Sequence, residues 1–579
     1  MANACFVNLT FDPGKNPAVL DTCTWDAAAA LHSIRELPEQ YLDNLVLCVQ
    51  SRQPLPRCAG LTPYTGSLTC TGDATLFLAG LPDGQAVFLE VLSRDQNPVL
   101  GDPLTILQIK TGERLSVHPT DADTIVLFIR RMAPLKGPRA LGSTPRLGIG
   151  VRMTTACWPA ILKAMEQKGF CANLIQNSVR ELNFMSTLLE ATPAETNYAC
   201  GFGTIETGYT GSSFEGLWVA GVLEALKYPK ILEYGADADH LQVKRGAEGM
   251  AKAKRYVDSC RHYSFYTMDM ADILDYAALT ESSDAAAEEC AVNRVGDSKK
   301  FHEVLAYHRD PVRIEGRQYV LNQKLIHKMI GKYWNAMLAL EELSAHIHAK
   351  KNGQAFDLEF TIDEHSPEVA AFDCLTSEEE VVFVLNEIKR RTLPVSHIAP
   401  NFGVEKGFDY RCPDGLEGLE RRIRAQFPIA EAFGVLLDFH SADDLTSPVR
   451  EVIRRATGGK HHYKISPMLQ ILFAKVLEDH HPDLFRQWWE DARAYAEREA
   501  AAGSPFARAC IEEDDRDGKQ KPSHRHKVFH HFSFAFVGRR DKNGQFLHRD
   551  RFYDLSQEFY QAYEQCLITY LVQLAEELF

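Results

Sequence analysis

Short apolar runs that alternate with helical stretches dominate the chain beyond about residue 146. This alternation indicates βα units and a parallel sheet. Eight such runs favour a closed (β/α)8 barrel over an open doubly wound sheet. The predicted strands are 146–150, 171–175, 230–235, 262–268, 356–362, 395–399, 434–439 and 461–465.

The chain before residue 140 has a pattern typical of small antiparallel strands. Short apolar stretches such as 74–78 and 86–92 are separated by Gly, Pro and Asp turns. The segment 133–145 concentrates Pro, Gly and Ser without periodicity, which is typical of a connector. We therefore expect a β-rich accessory domain over residues 1–140.

Two further segments do not fit a simple eight-unit repeat. Residues 270–355 are too long for one crossover and include a helix-like run, so they predict a helical insertion between the fourth and fifth strands. Residues 501–579 end in another helix-like run and predict a helical C-terminal extension. The predicted fold is α/β: a TIM-type barrel over 146–500 with a β-rich N-terminal domain, this insertion and this extension. Thr376 and Glu379 have capping-box spacing ahead of a predicted helix.

Composition and charge narrow the functional classes. The chain has 579 residues, 45% of them hydrophobic and 24% charged, as in an average globular protein. Its net charge of -15 repels phosphate backbones and anionic lipid, so nucleic-acid and membrane partners are disfavoured. The amino terminus lacks the features of a signal peptide, and no apolar run approaches the ~20 residues that span a bilayer. We expect a cytoplasmic protein.

The 14 cysteines are dispersed, and no two have C-x-x-C spacing. We interpret them as reduced thiols, because zinc ribbons and iron–sulfur sites need closely spaced thiolates. Any metal is therefore expected on nitrogen and oxygen ligands. The glycine pairs at 148–150 and 201–203 lack the third glycine of a dinucleotide fingerprint, so a nicotinamide cofactor has no support.

Polar side chains follow the predicted strands, where a barrel of this type places its active site. Imidazole and carboxylate groups on separate strands suit a divalent cation such as Zn, Mn, Ni or Co. The predicted metal ligands are His240, Glu364 and His440. Each histidine alone could instead be a hydrogen-bonded structural residue. Asp237 and Asp239 could instead be helix N-caps.

The remaining candidates have roles in proton transfer and sugar binding. Asp239 or Asp269 could act as the general base, and Lys464 could hold an oxyanion or a carboxylate. Arg180 offers a guanidinium to a carboxylate, although a structural ion pair is an alternative. The predicted substrate-binding residues are Gln176, Arg180, Asn401 and His462.

The same residues lie in short motifs that resemble those of tagaturonate epimerases. The resemblance runs from about 146 to 495 and departs from compact family members at 441–445 and 465–468. The amino-terminal 140 and carboxy-terminal 80 residues lie outside the compact pattern, so the chain is similar to a longer-chain variant. In chain order the motifs include RLGIG (146–150), QNSVRE (176–181), YGADADH (234–240), FYTMD (265–269), IAPNF (398–402), KGFDY (406–410), FHS (439–441) and PDLFR (482–486).

This resemblance implies a metal-dependent isomerase of hexuronate catabolism that interconverts D-tagaturonate and D-fructuronate. The carbon inverted in that reaction lies β to the ketone, so enolisation cannot reach its hydrogen, whereas retro-aldol cleavage and re-addition can invert it. Two alternatives stay open: a metal-dependent epimerase or isomerase of another ketose or sugar phosphate, and a non-catalytic sugar-binding or scaffold barrel. The expected partner is a small sugar acid, and a homo-oligomer is left open.

Overall fold

The computed structural model of the chain describes residues 26–72, 74–153, 156–189, 192, 195–199, 203–363, 371–405, 407–440, 442–516, 521–543 and 546–579. Its first region is a five-stranded antiparallel sheet in the order β1-β2-β3-β5-β4, which confirms the β-rich prediction. Helices α1 and α2 were not predicted, and they cover one sheet face with a separate apolar core. The elements are α1 (Ala27–Arg35), α2 (Glu39–Gln50), β1 (Thr62–Thr71), β2 (Ala74–Gly80), β3 (Ala86–Leu92), β4 (Thr105–Gln108), β5 (Arg114–His118) and α3 (Ala122–Met132).

The first half of the barrel follows. Its second strand is followed by an elaborated loop of short strands before the next helix and strand. The elements are β6 (Arg146–Gly150), α4 (Trp158–Lys168), β7 (Cys171–Ser178), β8 (Leu182–Asn183), α5 (Met185–Leu189), β9 (Thr196–Ala199), β10 (Gly203–Glu206), β11 (Ser212–Ser213), α6 (Phe214–Lys227), β12 (Tyr234–Gln242), α7 (Gly246–Ser259) and β13 (Phe265–Asp269).

A mainly helical insertion separates β13 from the next barrel strand, as predicted. Its longest element is a 29-residue helix whose N-cap, Asn322, accepts a hydrogen bond from the backbone N–H of Leu325. The insertion contains α8 (Ala277–Thr280), α9 (Asp284–Val295), α10 (Ser298–Arg309), β14 (Val312–Ile314), β15 (Arg317–Tyr319) and α11 (Gln323–Lys351).

The second half of the barrel returns to regular βα alternation. The capping box before its first helix lies one residue later than predicted, at Ser377 and Glu380. The N-cap is Ser377, and the Thr376 hydroxyl instead accepts a hydrogen bond from the backbone N–H of Asn401 at 2.9 Å. The elements are β16 (Asp357–Thr361), α12 (Glu378–Arg390), β17 (His397–Ala399), α13 (Gly415–Ala432), β18 (Leu436–Phe439), α14 (Ser447–Thr457), β19 (His462–Ile465) and α15 (Pro467–His480).

Eight parallel strands close the barrel in the order β12-β13-β16-β17-β18-β19-β6-β7. Every predicted strand corresponds to one of them, and the TIM-type barrel is confirmed. The third strand differs most, because it was predicted at 230–235 whereas β12 spans Tyr234–Gln242. Its polar second half is compatible with a strand because alternate residues face the barrel interior.

The amino-terminal end of the barrel is closed by a buried ion pair. The Arg146 guanidinium lies 2.9 Å from the carboxylate of Asp357. That carboxylate also accepts hydrogen bonds from the backbone N–H groups of Leu141 and Gly142, at 2.8 and 3.0 Å. The predicted connector 133–145 is therefore held against the barrel floor.

The C-terminal region packs on the barrel through helices α18 and α19. Helix α19 packs against α4 and α15, and the hydroxyl of Tyr563 donates to the Leu469 carbonyl at 2.9 Å. Helix α18 lies near the carboxyl end of β18, where His530 Nε2 is 3.0 Å from Asp444 Oδ1. None of the helices in the described ranges is both long and apolar enough to cross a bilayer. The elements are α16 (Pro482–Ala501), α17 (Pro505–Arg516), α18 (Lys527–Phe532) and α19 (Gln557–Leu578).

Candidate active site

The interior of this barrel is polar. Barrels of this type are usually filled by layers of Val, Ile and Leu. Here alternate residues of β16 and β19 are charged or polar while the residues between them are apolar. Because the apolar residues pack against the surrounding helices, the polar ones face the interior. A strand such as DLEFT, buried along its whole length, therefore directs carboxylates into the barrel.

Lys464, on β19, is the centre of a buried ion network. Its Nζ lies 2.9 Å from Asp239, 3.2 Å from Asp237 and 2.7 Å from Glu359. It also donates to the hydroxyl of Thr267 at 2.6 Å. Three carboxylates thus share one ammonium, and the pKa of Lys464 lies well above its ordinary value because their charges outweigh the effect of burial.

A β-bulge explains how β12 presents two consecutive residues to the site. Ala238 pairs with Tyr266 and Leu241 pairs with Met268, so Asp239 and His240 together oppose a single residue of β13. His240 has a φ of +52°, which is unusual for a residue with a side chain. This conformation lets Asp239 contact Lys464 while the ring of His240 lies over the same end of the barrel.

The two predicted histidine ligands come together. The ring centroids of His240 and His440 are 5.0 Å apart. His440 Nε2 lies 2.6 Å from Glu359 Oε1, and its Nδ1 lies 3.2 Å from Asp363 Oδ2. Among the described residues neither ring nitrogen of His440 meets hydrogen-bond geometry. Nitrogen and oxygen atoms that are close but not aimed at one another are suited to a shared cation.

The protonation equilibria point in the same direction. Burial would lower the pKa of His440, but Asp363 and Glu359 raise it well above its ordinary value. Burial raises the pKa of Asp237 to about 7, although Lys464 opposes the shift. Burial also raises the pKa of Asp438 well above its ordinary value, and Glu359 adds to the effect. Without a cation, protons on these side chains therefore supply the positive charge that a bound divalent cation would provide.

The donor set fits a divalent cation but differs from the predicted one. Glu359, Asp438 and His440 each offer a ligand atom, and these atoms all lie within 4.8 Å of one another. Glu364, the third predicted ligand, lies outside the described residues. The imidazole and carboxylate donors match the chemistry of borderline metals such as zinc.

Asp269 and Arg180 lie beside this centre. Asp269 accepts a hydrogen bond from the Ala271 backbone N–H at 3.2 Å, and its Oδ2 is 3.7 Å from His240 Nδ1. Burial would raise the pKa of Asp269, but His240 outweighs it and, with a smaller effect of Arg180, lowers that pKa well below its ordinary value. Arg180 donates from Nε to the Ser178 hydroxyl at 3.3 Å. Arg180 and His240 thus both favour the ionised form of the Asp269 carboxylate.

The other predicted substrate-binding residues occupy different places. Gly148 has no side chain, and a Cβ at this position would lie 2.6 Å from Gln176 Oε1 and 2.8 Å from His462 Nε2. Gln176 Oε1 and His462 Nε2 therefore face the same small space. The ring of His462 is held by Asp438, with Nδ1 and Oδ2 2.8 Å apart. The side-chain amide of Asn401 instead donates to the Cys374 carbonyl at 3.2 Å and accepts from Gly403 at 2.9 Å. These contacts place its amide in loop packing.

The sequence prediction did not include Glu359, Asp438 or His397, and it named Asp237 only in the alternative of a helix N-cap. It examined the residues after each strand, whereas these side chains lie within strands. Neither Asp237 nor Asp239 caps a helix, because both are in β12 and the N-cap of α7 is Arg245. Alternation of acidic and apolar residues within a fully buried strand was the available signal.

Comparison with known proteins gives a family. The sequence model of the tagaturonate epimerase family, UxaE, matches residues 231–578. No curated protein matches the chain significantly.

Solved structures support the fold. The native crystal structure of fructuronate-tagaturonate epimerase UxaE from Cohnella laeviribosi matches with a TM-score of 0.63 at 17% identity, over 90% of this chain and 96% of that one. A glycerol complex of the same enzyme has the same TM-score and identity, over 93% of this chain and 99% of that one. At this identity the likeness establishes the architecture.

Proposed function

The chain belongs to the tagaturonate epimerase family, and from this premise we propose that it interconverts D-tagaturonate and D-fructuronate with the help of a divalent cation. One observation carries the proposal. The barrel gathers His240, His440 and Lys464 with several buried carboxylates at the end where such barrels bind substrates.

A divalent cation bound at this centre would act as a Lewis acid that polarises the ketone oxygen of the substrate. His440, Glu359 and Asp438 are the described residues whose donor atoms suit it best, with His240 beside them. The protein's part is to hold these groups rigidly on or directly after three strands, β12, β16 and β18. These groups are already almost completely buried, so a bound substrate would react in a site that contains little water.

The chemical problem is inversion of a carbon that lies β to the ketone and carries a hydroxyl group. In the proposed route a carboxylate takes the proton of that hydroxyl. The bond between the carbons α and β to the ketone then breaks, its electron pair forms an enediolate, and the β carbon becomes an aldehyde. Rotation of the aldehyde, re-formation of the bond and return of the proton invert the centre. The mechanism needs one proton acceptor and a positive charge near the enediolate.

The site offers both. Asp239 and Asp269 are the candidate bases, and both pKa values are lowered despite the opposing effect of burial, so both are ionised at neutral pH. Lys464 stays protonated and supplies fixed positive charge. Arg180 is the candidate partner for the substrate carboxylate, and Gln176 offers a buried amide oxygen to a sugar hydroxyl.

The test is proton NMR of the metal-reconstituted protein with D-tagaturonate in D2O, beside a chelator-treated sample. We expect D-fructuronate to appear with metal and turnover to be lost with chelator. Retro-aldol chemistry leaves the C–H bond of the inverted carbon intact, so its hydrogen should not exchange with deuterium. Deuterium at that carbon would refute the route, although not the activity.

Matched variants and substrates complete the design. Glu359→Gln should abolish turnover, whereas Glu431→Gln, which changes an exposed carboxylate paired with Lys460, should not. A neutral ketose and a ketose phosphate are run in parallel. Turnover of either in place of the keto-uronate would replace the proposed substrate, and inertness towards all three with metal bound would favour a non-catalytic barrel.

A further inference from the structure

A second group of buried donors lies in the barrel interior next to the first. His397 begins β17 and His462 begins β19, while Asp438 lies on β18 between them, where it pairs with His462. Each of the three residues offers a ligand atom, and these atoms all lie within 4.8 Å of one another. The side chains are buried, since the three residues are at most 1% exposed. This group is separate from His440 and Glu359 but shares Asp438 with them.

The group contains polar atoms without partners. Within the described part of the chain, His397 Nε2 and His462 Nε2 have no hydrogen-bond partner. The other atoms of these side chains are fixed, because His397 Nδ1 lies 2.8 Å from the Ser396 hydroxyl and His462 Nδ1 lies 2.8 Å from Asp438 Oδ2. A ring with one nitrogen held and the other available is how metal-binding histidines are arranged. Leaving such groups buried without partners destabilises the folded protein.

Charge supports a cation at this position. Asp237, Asp239 and Glu359 all contact the single ammonium of Lys464. These three carboxyl groups thus share one ammonium, and a cation bound at the neighbouring Asp438 would add positive charge to the same cluster.

We propose that His397, Asp438 and His462 form a second divalent-cation site, bridged by Asp438 to the site at Glu359 and His440. Two imidazole nitrogens and one carboxylate select a borderline metal such as zinc, cobalt or nickel. Magnesium and calcium prefer oxygen ligands and are disfavoured. A bridging carboxylate would hold the two cations in one dinuclear centre.

Metal stoichiometry tests the second site. The full-length protein is stripped with a chelator, reloaded with Co²⁺, desalted and analysed for cobalt by mass spectrometry. The wild-type chain should retain two equivalents, and His397→Gln should retain one. His461→Gln is the control, because His461 is a buried neighbour whose ring nitrogen lies 2.9 Å from the Thr457 hydroxyl and which does not belong to the group. It should retain two equivalents.

Other outcomes would overturn the proposal. One equivalent in both the wild type and His397→Gln would remove the second site, and two equivalents in both would place it elsewhere. If His397→Gln does not fold by circular dichroism, His462→Gln and the positions of anomalous cobalt peaks in crystals of the wild type decide instead. A chain that retains two equivalents but does not epimerise D-tagaturonate would refute the proposed function and leave this centre standing.

Discussion

Replacing Lys464 by methionine tests whether the ammonium group holds the barrel interior together. The side chain is 4% exposed and its Nζ lies between 2.7 and 3.2 Å from three buried carboxylates. Methionine keeps most of the apolar stem and removes only the charge. Breaking a buried ion pair by removing one partner typically costs about 3–5 kcal/mol, because the other partner is left as an uncompensated buried charge.

The loss should depend on pH in a direction set by the carboxylates. In the wild type, burial raises the pKa of Asp237 to about 7, although Lys464 opposes the shift. Without the ammonium this opposition is lost, and the pKa of Asp237 rises further above its unfolded-state value. A carboxyl whose folded pKa is raised destabilises the folded state when it must ionise, and this penalty disappears as the pH falls and the group takes up a proton. The loss should therefore be full at pH 8 and smaller at pH 5, by at least about 1.4 kcal/mol, which corresponds to one pKa unit.

The assay is urea-induced unfolding in the presence of a chelator, followed by circular dichroism at pH 8 and pH 5. Lys460→Met is the matched control, because Lys460 lies four residues earlier, is 62% exposed and pairs with Glu431 at the surface. Such a surface pair contributes about 0–1 kcal/mol. A loss for Lys464→Met that matches the control, or that is equal at the two pH values, would refute the reasoning.

Four further predictions concern individual contacts. His440→Gln should lower metal affinity at least about tenfold, measured by metal content after dialysis; unchanged content would remove His440 from the ligand set. Asp357→Asn should lower the free energy of unfolding by about 3–5 kcal/mol, because it breaks the pair with Arg146, yet leave kcat of the folded enzyme unchanged, since it lies at the opposite end of the barrel. Gly148→Ala should destabilise the protein by about 1–3 kcal/mol and reduce kcat, because its Cβ would approach buried side-chain atoms within 2.8 Å; wild-type values in both assays would contradict this clash. Arg180→Met should raise KM for the keto-uronate more than it lowers kcat, and the reverse pattern in steady-state kinetics would assign Arg180 to the chemical step.

The sequence predicted the eight strands and the class of barrel because both depend on local patterns. An apolar run of four to eight residues followed by an amphipathic helix is visible in one stretch of chain. The same patterns placed polar groups at strand ends, which led to His240, His440, Asp269 and Lys464. Exact helix starts were predicted less accurately, as the one-residue shift of the capping box to Ser377 shows.

Only the tertiary structure decided which atoms meet. Asp239 and Lys464 are 225 residues apart in the chain, and the distance between them depends on how β12 and β19 are staggered when the barrel closes. The bulge that turns both Asp239 and His240 inward is likewise a matter of register between neighbouring strands. Carboxylates such as Glu359 and Asp438 look unremarkable in sequence, because a strand shows alternation but does not show what faces it across the interior. The elements were thus determined by local chemistry, whereas the site arose from long-range packing that brings like charges together around one ammonium.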